Sequence, residues 1–129
     1  RVKIRIQNRI QIDEQVEQID QSYDVNWTQK GAYHYLLFKN EEGEKVVLKF
    51  HDEELVMTRF STPKSLMRFI KEGEALVWVA KPIGMQQFIT KTSHYQVDLK
   101  KQTLELHYQL RTPDGERTFA DYQMEISWR

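Results

Sequence analysis

The sequence predicts an all-β fold: an antiparallel up-and-down meander of about eight to ten strands, closed into a barrel. Three observations carry this. Apolar residues recur at every second position through most of the chain. Glycine-containing turns interrupt the alternation at short intervals. The gaps between alternating segments are too short for crossover helices, so successive strands pair as hairpins.

In the first segment Val2, Ile4, Ile6, Ile10 and Ile12 share one parity, with Asn8 among them, and Lys3, Arg5, Gln7, Arg9 and Gln11 hold the other. Val46, Leu48 and Phe50 alternate with Lys45, Val47 and Lys49. The stretch "DEELVMTRFSTPKSLMRFIKEG" is ambiguous. Thr62 as a cap, Pro63 at a first helical position, and Leu66, Phe69 and Ile70 at spacings of three and four permit a short helix over 63–71. "ALVWVAKPIGMQQFITKT", residues 75–92, is the least polar stretch; it turns a corner at Pro82 and Gly84 and resumes as a strand that carries threonines. Leu104, Leu106, Tyr108 and Leu110 alternate with Glu105, His107 and Gln109. The last segment sets Ala120, Tyr122, Met124, Ile126 and Trp128 against Phe119, Asp121, Gln123, Glu125 and Ser127. In "NEEGE", "KEGE" and "TPDGE" a glycine stands where the turn wants a left-handed residue. Alternation this clean means one buried and one wet face, and closure removes the exposed strand edges.

At 129 residues the chain is read as one domain, 1–129. Nineteen Lys and Arg balance nineteen Asp and Glu. That argues against a domain built to hold a phosphate backbone, so no nucleic-acid partner is expected. The longest apolar run, Ala75 to Ala80, is far short of a bilayer span of ~20 residues, and "RVKIRIQNRIQI" is no signal peptide, so no membrane partner is expected. The absence of cysteine removes disulfides and thiolate chemistry and fits a reducing, cytoplasmic location.

Nothing in the spacing assembles a catalytic site. No serine sits in a nucleophile elbow, the five glycines build no phosphate cradle, and Glu41–Glu42 and Glu53–Glu54 are neighbours that point to opposite faces of a strand. His94 and His107 fall almost opposite across the "DLKKQT" turn, but two imidazoles on a wet face do not make a metal site by themselves. The expectation is a protein that is not an enzyme and holds no cofactor or metal.

"MTRF", "LMRFIKEGE", "VAKPIG" leading to "TKT", "LELHYQL" and "DYQMEISW" together resemble the YwiB-type family of small bacterial proteins. The resemblance spans essentially the whole chain. It implies a lipocalin-like (calycin-like) barrel with no established activity, and two strands joined at Pro63 across 53–72 in place of a helix. The family's corner reads aromatic, any residue, threonine, proline, tyrosine, glycine. Here it runs from Val79 to Gly84 without the hydroxyl or either aromatic, so no site is carried over from it.

The leading functional expectation is a non-enzymatic binder of a small amphipathic or acidic ligand in the barrel interior. Thr90, Thr92 and His94 share the parity of Phe88, while Arg59 and Arg68 stand inside otherwise apolar strands. These five are the expected polar anchors, with Phe69 and Trp78 in the apolar wall. The rival is a solid barrel whose outside recognises a protein or a second copy of itself, through Phe119 and Trp27.

Overall fold

A computed structural model describes residues 1–129. Ten strands follow one another with no helix: β1 (Lys3–Ile12), β2 (Gln15–Lys30), β3 (Tyr33–Lys39), β4 (Lys45–His51), β5 (Glu54–Arg59), β6 (Ser65–Ile70), β7 (Glu74–Lys81), β8 (Gly84–Asp98), β9 (Thr103–Arg111) and β10 (Thr118–Trp128). Each pairs antiparallel with its neighbour in sequence, and β1 closes the ring on β10 with Ile4 opposite Trp128. No helix is long and apolar enough to cross a membrane.

The 53–72 region forms β5 and β6, joined through a cis Thr62–Pro63 peptide, so the strand reading holds over the helical one. Of the three glycine turns, Gly43 and Gly115 take the left-handed conformation. In "KEGE" that conformation falls on Glu72. Gly73 serves there by its missing side chain, since a Cβ would lie 3.0 Å from Ile70 Cγ2.

One rim, the upper, carries the turns β1–β2, β3–β4, β5–β6, β7–β8 and β9–β10. The lower rim carries the other four turns. There Lys3 N donates to Arg129 O at 2.7 Å and Arg129 N to Lys3 O at 2.9 Å. Walls differ in height: β1, β2 and β8–β10 run from nine to sixteen residues, β3–β7 from six to eight.

The lower half is packed solid. Ile4, Leu36, Phe50, Leu55, Phe69, Leu104, Leu106, Ile126 and Trp128 are buried in one apolar cluster. At this rim β8 runs on past Lys91, the partner of Glu74 at the start of β7, and the Tyr95 hydroxyl lies 2.6 Å from His51 O and 2.9 Å from Glu54 O, sharing its proton between two carbonyls of the β4–β5 turn. Burial, with Asp52, Glu54 and Glu53 nearby, pushes the Tyr95 hydroxyl far above the ordinary tyrosine range.

The β6–β7 seam is held differently from every other. Only Leu66 and Trp78 pair across it. Side chains do the rest: Ala80 N donates to Ser65 Oγ at 3.0 Å, and Thr90 Oγ1 on β8 donates to Arg68 O at 2.6 Å. Thr92 N reaches Gly73 O at 3.0 Å. Backbone groups that a full ladder would satisfy are met here by hydroxyls from inward-facing residues.

Candidate functional site

The inner wall of the upper half differs from the packed lower half. Ile6, Asn8, Ile10, Ile19, Gln21, Met57, Arg59, Met67 and Tyr122 all carry inward parity, yet each remains partly exposed to solvent. Tyr108 and Tyr122 stack with ring centroids 4.5 Å apart, and Phe69 meets Tyr108 at the same distance from the lower side. These rings lie across the interior below the partly exposed residues of the upper half. Burial raises both tyrosine hydroxyls above their ordinary range, Tyr108 the more strongly.

Arg59 ends β5 on inward parity, with Val46 on β4 and Ser65 on β6 as its neighbours across the sheet. Its Nη2 donates to Ser65 Oγ at 3.3 Å, and its Nε lies 3.9 Å from Glu44 Oε1. That separation is an ion pair but no hydrogen bond, and Nε is a buried donor without a partner. Glu44 is itself held by Asn40 Nδ2 at 3.1 Å. Beside it Glu41, in the same β3–β4 turn, accepts from the Tyr23 hydroxyl and from Gln21 Nε2 on the tall wall. Burial first, then this hydrogen bond, pushes the Tyr23 hydroxyl up to about 12; accepting it holds the Glu41 carboxyl below its usual range.

The seven expected site residues divide. Arg59 points inward, as required. Phe69 is buried in the core, and Thr90 and Thr92 are buried on the inner face. Thr90 is committed to the Arg68 carbonyl, whereas Thr92 Oγ1 has no partner. Three expectations are corrected. Arg68 lies on the outer face, opposite Val56, and pairs with Glu54 in an ion pair. Trp78 is also outside, 51% exposed, because β7 buries Ala75 and Val77 on the other parity. His94 is turned outward by a bulge at Ser93: Thr92 faces Tyr108, but the next pair is His94 with His107. Trp27 stays 37% exposed, as expected, but on inward parity at the lower rim, where its Nε1 donates to His34 Nδ1 at 3.1 Å. Phe119 remains 46% exposed at a second bulge, in β10.

Asn8 is the inner-wall residue the sequence reading passed over. Its Oδ1 is buried without a partner, and the signal was its place among the isoleucines of β1.

Outside, β1, β2, β9 and β10 form a shallow polar concavity of about 630 Å³, lined by Gln7, Arg9, Gln18, Asp20, His107 and Glu125 among others. At its edge the His107 ring lies 4.8 Å from that of His94 on β8, and His94 Nε2 is 3.0 Å from Glu105 Oε1. No three His, Asp or Glu side chains converge as a metal-binding group anywhere in the chain.

Comparison with known proteins places the molecule without giving it a role. A family model described as a domain of unknown function, DUF1934, matches residues 4–126. The crystal structure of ywiB protein from Bacillus subtilis superposes with a TM-score of 0.83 at 18% identity, covering 99% of this chain and 89% of that one. The likeness is one of fold. No curated protein matches the chain.

Proposed function

The chain belongs to the DUF1934 family, a domain of unknown function, and we propose that its barrel binds a small amphipathic acid through the upper opening. The observation that carries this reading is Arg59: an inward-facing guanidinium whose buried Nε has no hydrogen-bond partner. A carboxylate entering from the upper rim takes both Nε and Nη2 in the bidentate geometry guanidinium favours, displacing the long contact to Glu44. Below it, Met57 and Met67 supply an unbranched, adaptable apolar surface, and the Tyr108–Tyr122 stack sets the depth. The packed lower half limits the ligand to a short tail.

Decanoate and decanol separate the anionic head from the tail. Measured by calorimetry, the acid should bind roughly 10- to 100-fold more tightly than the alcohol, the worth of one charged hydrogen-bonded contact. Arg59→Gln should remove most of that preference while the circular dichroism spectrum stays that of the parent. Equal binding of acid and alcohol by the unaltered protein, or uptake of neither, refutes the reading.

A further inference from the structure

The outer wall across the open seam carries a run of exposed apolar side chains. Leu66 and Trp78 face each other over the seam, with Leu76 beside them on β7 and Ile89 and Met85 on β8. Leu66, Leu76, Trp78 and Met85 are 38 to 56% exposed. These four side chains together expose roughly 400 Å², the size of apolar patch that marks a contact site on a soluble chain.

From this face we infer that two copies of the chain associate across the β6–β7 seam, about a twofold axis parallel to the strands. The reason is self-complementarity. Carrying the Leu66–Trp78 register along both strands sets Arg68 beside Leu76 and Ile70 beside Glu74, with Val56 and Glu54 flanking on β5 and Ile89 and Lys91 on β8. A twofold between β6 and β7 exchanges the two flanks. Leu66 of one copy then lies over Trp78 of the other, Val56 over Ile89, and Glu54 over Lys91. Arg68 comes within a row of Glu74 of the other copy. Glu54 thus meets a cation and Leu66, Trp78, Val56 and Ile89 meet one another, while Arg68 lies over Leu76 and Glu74 over Ile70. The formal net charge of zero leaves no overall repulsion against self-association. The face lies on the outer wall and leaves Arg59 and the upper opening uncovered, so this inference stands or falls apart from the ligand-binding one.

Sedimentation equilibrium of the purified chain over a range of concentrations tests it. A monomer–dimer equilibrium is expected. Trp78→Ser and Leu66→Lys, both at exposed positions, should each weaken it at least tenfold with the strand signature in circular dichroism unchanged. Lys91→Glu should weaken it by setting Glu54 against a second carboxylate, and adding Glu54→Lys should restore it. A chain monomeric at every concentration overturns the inference. So does a dimer indifferent to Trp78→Ser and Leu66→Lys, or a monomer recovered with a different protein on this face. Failure of the double charge exchange to restore association overturns the twofold register.

Discussion

Thr90 and Thr92 are two residues apart on β8, both buried, both facing inward, and they differ in one respect. The Thr90 hydroxyl donates to Arg68 O at 2.6 Å, while Thr92 Oγ1 has no partner. Replacing each with valine, which keeps the shape and removes the hydroxyl, should give opposite results. Thr90→Val leaves a β6 carbonyl unmet in a seam that has only one paired position. Losing the bond and stranding the acceptor should destabilise the fold by about 1–3 kcal/mol. For a chain of this length that lowers Tm by roughly 3–10 °C. Thr92→Val removes a polar atom that is desolvated without compensation, so stability should be unchanged or rise by up to about 1 kcal/mol. Urea unfolding followed by tryptophan fluorescence and far-ultraviolet dichroism measures both, with the denaturant slope held constant as the sign that the end states are unaltered. Hydrogen exchange should place the Thr90→Val loss along 65–70 and 74–80. Equal shifts for the two variants, or a stabilised Thr90→Val, refute the idea that hydroxyls replace a ladder here.

Tyr95→Phe should cost about 1–2 kcal/mol and speed amide exchange in the His51–Glu54 turn, since one hydroxyl holds that turn over the lower rim. Unchanged exchange there would show that packing alone closes this rim. Spectrophotometric titration should find one tyrosine ionising at about 12, and Glu41→Gln should lower it toward, though not fully to, the ordinary 10, because burial outranks the carboxylate as the cause. The sign for stability follows. Tyr23 is held neutral in the folded state, so its contribution is full below pH 10 and is lost as pH rises toward 12.

The alternation of side chains made the strands and the closed meander readable, because each inward face must be apolar for the barrel to fill. The single-residue outcomes at Trp78, Arg68 and His94 were not readable, for separate reasons. "ALVWVA" is apolar on both parities, so either Trp78 or Val77 could have been inside, and the smaller residue is the one that fits. Arg68 stands inside a run with the same defect, and its outward ion pair needs Glu54, fourteen positions earlier. His94 depends on one extra residue at Ser93, which leaves no mark in composition. Arg59 was legible as a charge in an apolar strand; that its Nε lacks a partner is a matter of where Glu44 stops, 3.9 Å away. Asn8 was visible as the one polar member of its parity.

The hydrogen bonds between Lys3 and Arg129 set where any attached chain must leave the molecule. Both positions open onto the lower rim, at the far ends of β1 and β10 from the β1–β2 and β9–β10 turns. An affinity handle, a fluorophore or a neighbouring module fused at either position therefore trails away from the upper opening. A short bridge between the two would let the chain be recut at an upper turn, giving a permuted barrel whose new ends stand beside the opening and report on what enters it.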